Sequence, residues 1–179
     1  MTSTATRRHE MLAPLVVFLV GLATILGAWG FEIFGGFVPC ALCLQERVPY
    51  YFGLPFALAG VLAALAGAKP TIPRMLLIAS GIAFAYNVYL GGYHAGAEWG
   101  FWAGPSDCGA GGAAPPTSAE DLLSQIKTIR IVSCTEATWR FLYLSFAGWN
   151  FVVSLFLAAV AFWGAFRPLP PDEAAQRAA

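Results

Sequence analysis

Charge is what this chain most lacks. Its 10 Lys and Arg balance its 10 Asp and Glu, and charged residues make up only 11% of the sequence, against roughly 25% in soluble globular domains. A chain so poor in charge, with no net balance of either sign, has no basic face to offer a nucleic acid. It also carries no haem or iron–sulfur signature and no dinucleotide fingerprint. Histidine occurs twice and cysteine four times. No internal repeat is visible.

What fills the space is apolar. Hydrophobic residues reach 58% of the 179 positions, and the mean hydropathy is +0.66. Four runs contain no Asp, Glu, Lys or Arg: Met11 to Phe31, Val48 to Ala68, Met75 to Ala97 and Phe141 to Phe166. Each has about the 20 residues needed to cross a bilayer core. That length excludes a soluble protein with a large core, and a barrel would show alternating segments of about ten residues instead. The predicted fold is an all-α membrane protein, a four-transmembrane-helix bundle forming a single membrane domain over 1–179. Its spans fall at about 12–33, 49–68, 74–94 and 141–166, with an outer loop at about 95–140. Arg7 and Arg8 precede the first run. That run exceeds the roughly 7–15 residues of a secretory h-region, so it reads as an uncleaved anchor.

Four spans put both termini on one side, with the link "AKPTIPR". Arg7, Arg8, Lys69, Arg74, Arg167 and Arg177 share that side, on short segments. Arg47, Lys127, Arg130 and Arg140 are spread over the longer opposite side. The positive-inside rule therefore predicts cytoplasmic termini. Within the outer loop, Trp99 and Trp102 suit an interfacial belt, and "GAGGAAPP" reads as irregular chain. "SAEDLLSQIKTIR" then has helical spacing of Leu122, Leu123, Ile126 and Ile129, a short amphipathic helix.

Whatever the orientation, Cys40 and Cys43 lie in the first connection and Cys108 and Cys134 in the third. The two connections face the same side. If that side is outward, it is a compartment where disulfides persist. Of the three possible pairings, proximity favours Cys40 with Cys43, leaving Cys108 with Cys134 across 25 intervening residues.

The stretch "VPCALCLQERVPYY" sits at the entry to the second span. A cysteine reacts as its thiolate, which a helix N-terminus or a nearby cation favours. If a helix begins there, Cys40, Cys43 and Arg47 stand at i, i+3 and i+7, along one stripe. Pro49 leaves two possibilities: a helix running through it, or one beginning at it. Glu46 reads as a partner of Arg47 or a solvent-facing residue. A reactive disulfide here needs an electron acceptor, and a lipid-soluble quinone could arrive from the bilayer. The competing reading is a non-enzymatic thiolate metal-binding protein, the four cysteines holding zinc with His94 as a substitute ligand. The expectation here is that no metal is bound.

"PCALC" followed by "QER", "GYHAGAEWGFW" leading to Cys108, and Cys134 followed by "ATWRFLYLSFAGWN" resemble the disulfide bond formation protein B (DsbB) family over nearly the whole chain. The resemblance implies a quinone-dependent thiol oxidase of the bacterial inner membrane, its cysteine loops periplasmic and its termini cytoplasmic. Its electron donor would be a periplasmic thioredoxin-like dithiol oxidase of the DsbA type, and its acceptor the membrane quinone pool, ubiquinone or menaquinone. By position, Cys108 and Cys134 would meet the partner, and Cys40 and Cys43 would pass electrons to the quinone. Arg47 matches the arginine at the quinone, and His94 a position near the same end. Relatives of vitamin K epoxide reductase are the alternative within this chemistry, but their CxxC sits near a late helix.

Overall fold

The computed structural model describes residues 4–104, 118, 130–131 and 133–168. Among the described residues four helices carry the fold: α1 (Thr4–Gly35), α2 (Ala41–Leu65), α3 (Thr71–Glu98) and α4 (Phe146–Phe166). All four contain stretches long and apolar enough to cross a membrane. The all-α, four-helix membrane fold read from the runs is what the chain adopts.

The distribution of side chains agrees with a lipid surround. Leu19, Leu26, Phe52, Leu62, Ile82, Leu155 and Trp163 are exposed along the helices, while Ser80, Asn87 and Ser154 are buried. Water would penalise so much exposed apolar surface; lipid does not, and small or polar residues then go to the helix contacts.

Residues Met1–Leu22, Pro49–Tyr86 and Ser154–Ala179 form one compact unit. Its core is Val17, Leu54, Ala57, Leu77, Phe84, Leu157 and Ala161. Close approach of backbones decides its packing. A Cβ on Gly164 would stand 2.2 Å from the Cβ of Ala13, and one on Gly53 would stand 2.8 Å from the Phe84 ring. The Ser80 hydroxyl donates to the Gly53 carbonyl at 2.9 Å. Arg74 grips the buried Glu10, donating from Nη2 at 2.8 Å and from Nε to both oxygens at 3.3 Å.

Residues Ala23–Val48 and Asn87–Val153 form the second unit, which holds Cys40, Cys43 and Cys134. Two short ladders shape it. β1 (Phe37–Val38) pairs in parallel with β2 (Arg130–Ile131), matching Phe37 to Arg130 and Val38 to Ile131. β3 (Arg140–Phe141) pairs antiparallel with β4 (Leu144–Ser145). The two-residue turn between them puts Leu142 at φ 48° and Tyr143 at φ 69°, the twist a tight hairpin requires but one that side chains resist. An aromatic cluster packs Phe31, Phe37, Trp139 and Phe146 together, with Trp139 and Phe146 stacked at 4.8 Å.

Helix ends follow local chemistry. α3 stops at Glu98, and just beyond it the φ of +75° at Gly100 lets Phe101 N–H return to the Gly96 carbonyl at 2.9 Å and Gly100 N–H to Ala97 at 3.1 Å. Trp102 then folds back over Gly96 and donates from its indole to the Tyr93 carbonyl at 2.9 Å.

Some boundaries differ from the sequence reading. α4 begins at Phe146 and not at 141, because 140–145 form the hairpin; α1 begins at Thr4, and its membrane-length stretch, Glu10–Gly35, lies close to the expected 12–33. α2 begins at Ala41 and runs through Pro49 and Pro55. Cys108 and nearly all of the expected amphipathic helix lie outside the described residues.

Candidate thiol site

Cys40 is the residue before the first turn of α2, in the position normally taken by Ser or Asp. Its sulfur does the same work: the Cys43 N–H donates to Cys40 Sγ at 3.3 Å. The Leu44 N–H meets the Cys40 carbonyl at 3.1 Å, closing the first helical turn. This cap is why the helix starts ahead of Pro49. It also places the two sulfurs 3.0 Å apart.

Cys40 is fully buried in a cluster with Leu42 and Cys134, against which Cys43 and Tyr93 pack. Sγ of Cys40, a ring nitrogen of His94 and Sγ of Cys134 all lie within 4.8 Å of one another. The β1–β2 ladder explains the meeting: Cys40 follows Val38 by two residues, and Cys134 follows its partner Ile131 by three. The sequence expects a thiol here with its proton easily lost. Cys40 departs from that. Its thiol is pushed up to about 12 by the hydrogen bond with Cys43 and then by burial, against a smaller lowering from His94.

His94 is 1% exposed, near the end of α3. Its Nε2 faces Cys40 Sγ at 4.0 Å, and its Nδ1 meets Glu46 Oε1 at 2.8 Å. Glu46 itself is only 7% exposed. Its Oε2 accepts from Asn150 Nδ2 at 2.9 Å, and Asn150 Oδ1 accepts from Asn87 Nδ2 at 3.2 Å. Glu46 therefore neither pairs with Arg47 nor faces solvent, as the sequence reading had it. One turn beyond His94, Glu98 accepts from the Ser145 hydroxyl.

Arg47 lies one turn past Cys43 on α2, so the two share a helix stripe. It pairs with Glu32 of α1, Nη1 to Oε2 at 2.5 Å, with 13% of its side chain exposed. Leu44, Val48 and Tyr51, next to it on α2, are exposed apolar side chains. Of the residues read as the site, Cys40, Cys43, Cys134 and His94 come together in one cluster, and Arg47 stands beside it on α2. Cys108 is outside the described residues.

Sequence reasoning missed Glu46, Asn150 and Glu32. The available signal was Asn87 and Asn150 inside otherwise apolar runs, since a polar side chain at membrane depth demands a partner.

The family model described as "Disulfide bond formation protein DsbB" matches residues 10–164. No curated protein and no solved structure matches the chain. The match takes in most of each of the four helices and every residue of the thiol cluster. The chain belongs to the DsbB family of disulfide bond formation proteins, and is a multi-pass bacterial membrane thiol oxidoreductase of a quinone-linked kind.

Proposed function

We propose that this protein oxidises a periplasmic thioredoxin-like dithiol oxidase of the DsbA type. Electrons pass from the partner's thiols through Cys108–Cys134, then through Cys40–Cys43, to the membrane quinone pool. The reading includes a single membrane domain with cytoplasmic termini and periplasmic cysteine loops. The observation that carries it is the burial of Cys40 and Cys134 in one cluster, with Cys43 against them. Two sulfur pairs can exchange only if a member of each comes within reach of the other.

The residues present fit a quinone. Cys43 is half-buried at the head of α2, beside exposed Leu44 and Val48, so a flat lipid-borne ring would meet apolar walls there. Arg47 and Cys43 would hold it, with His94 at the same end. When bound, a quinone supplies an acceptor for two electrons and two protons. The guanidinium is a permanent donor and cation aimed at whatever negative charge develops beside it. Cys134 attacks the Cys40–Cys43 disulfide at Cys40, the sulfur it packs against, and Cys43 departs.

The test is anaerobic incubation of the purified protein with a reduced thioredoxin-like dithiol and a quinone, following quinone absorbance. Stoichiometric bleaching that needs all four cysteines supports the reading. No bleaching, or tightly bound zinc with disulfides inert to the dithiol, overturns it in favour of the metal-binding alternative.

A further inference from the structure

The reading above gives no task to the best-held buried carboxylate near the sulfurs. Glu46 meets His94 with one oxygen and Asn150 with the other, at 2.8 and 2.9 Å, and Asn87 holds Asn150 in turn. Burying a carboxylate is costly, and such groups at membrane depth are ordinarily functional. Its effect on His94 follows from hydrogen-bond inventory. An ionised carboxylate only accepts, so the hydrogen of a neutral ring sits on Nδ1. That leaves the Nε2 lone pair on the side of Cys40, 4.0 Å from its sulfur. Thiol, imidazole and carboxylate in this order form a nucleophile, a base and a group that orients the base.

We propose that Glu46 is a positioning residue: it fixes His94 in the tautomer whose Nε2 takes the proton from Cys40 when Cys40 closes its disulfide with Cys43. The inference rests on the thiol-exchange reading. When a disulfide oxidant has placed one of its sulfurs on Cys43, Cys40 Sγ bonds to Cys43 Sγ, and the bond from Cys43 to the oxidant's sulfur breaks. The electron pair leaves with that sulfur as a thiolate, and the Cys40 proton goes to Nε2. The two sulfurs already stand 3.0 Å apart. Cys40 is fully buried, so bulk water does not reach it to act as the base. Among the described residues, the titratable groups around the ring are Cys40 from the turn before α2, Glu46 from α2, Cys134 from the outer connection, and Glu98 on its own helix, which Arg140 also influences.

The experiment uses the full chain, reduced, with Cys108 and Cys134 replaced by serine, and 4,4′-dithiodipyridine as the oxidant. The half-buried Cys43 reacts first, releasing one pyridinethione, and attack by Cys40 releases the second. The second release should be about a hundredfold slower in His94→Asn, the low end for a lost general base, and at least about tenfold slower in Glu46→Gln, which keeps the base but loses its orientation. Its rate should climb steadily with pH in those variants, where the parent shows a plateau, and Glu46→Asp should recover part of it. The ¹⁵N signals of His94, separable from those of the other histidine, His9, should show hydrogen on Nδ1 in the parent and a mixture of tautomers in Glu46→Gln. If Glu46→Gln does not fold, Asn150→Ala takes its place, with the same expectations in weaker form. A second release at parental rate and pH profile, or hydrogen on Nε2 in the parent, overturns the proposal. Quinone takes no part in this assay, so a failure of quinone reduction would sink the function above and leave this result standing.

Discussion

Cys40 and Cys134 belong to different connections of the chain, yet they are buried in one cluster with their sulfurs no more than 4.8 Å apart. A disulfide needs a sulfur separation near 2.05 Å, which small side-chain rotations supply from there. With Cys43 and Cys108 replaced by serine, mild oxidation should join Cys40 to Cys134 in most molecules. Peptide mapping without reduction checks it; a linkage confined to a minor fraction would refute the proximity.

Arg47 is held by Glu32, so part of its charge is already answered. Arg47→Ala should lower quinone turnover by about tenfold or more, short of the roughly 10²–10³ for a buried oxyanion donor. The apparent KM for the dithiol partner should stay unchanged. Glu32→Gln should move turnover the opposite way. Steady-state kinetics with each substrate varied in turn separates the two effects.

The Arg74–Glu10 pair has Glu10 buried. Removing Arg74 alone leaves a carboxylate with its bidentate partner gone, a loss of roughly 3–5 kcal/mol. Arg74→Met should destabilise by about that amount, and Arg74→Met with Glu10→Gln should recover most of it. Reversible unfolding in mixed micelles is the measurement.

Gly164→Ala should cost about 1–3 kcal/mol, because the added carbon would meet Ala13 at 2.2 Å and Leu77 at 3.0 Å. Gly27 in α1 has nothing within 4 Å of such a carbon. Gly27→Ala should be neutral, or more stable by up to about 1 kcal/mol from helix propensity. The same unfolding assay compares them.

The raised Cys40 thiol makes the reduced protein sensitive to alkali. Its ordinary value of 9.0 goes up to about 12 on folding. Below about pH 9 both states keep the proton and stability is complete; between 9 and 12 the unfolded thiol ionises while the folded one does not, so stability is lost as pH rises. Cys40→Ala should remove that loss, visible as a shrinking difference between parent and variant from pH 8 to 10.5.

The four helices were legible because a bilayer imposes length and composition together, and four charge-free runs met both. The start of α2 was not. Pro49 pulls the reading one way and a thiol cap the other, and capping by Cys40 prevails because the Cys43 amide has an acceptor within its own turn. Neighbouring helices and side chains make a proline tolerable inside a membrane helix. Cys43 and Arg47 were readable as neighbours from spacing alone. Glu46 was not, because its partners His94 and Asn150 come from two other helices, and only tertiary packing decides that a carboxylate next to Arg47 turns away from it.

The atom that fastens the leading amide of α2 is a sulfur, and in the proposed relay that sulfur changes its bonding in every turnover. Tying it to another cysteine withdraws or redirects its lone pairs, weakening a fastening of a kind worth about 0.5–2 kcal/mol when oxygen provides it. Oxidation state and the order of that opening turn are thus two readings of a single atom. In that relay, each electron transfer would loosen or restore the ground on which Cys43 stands.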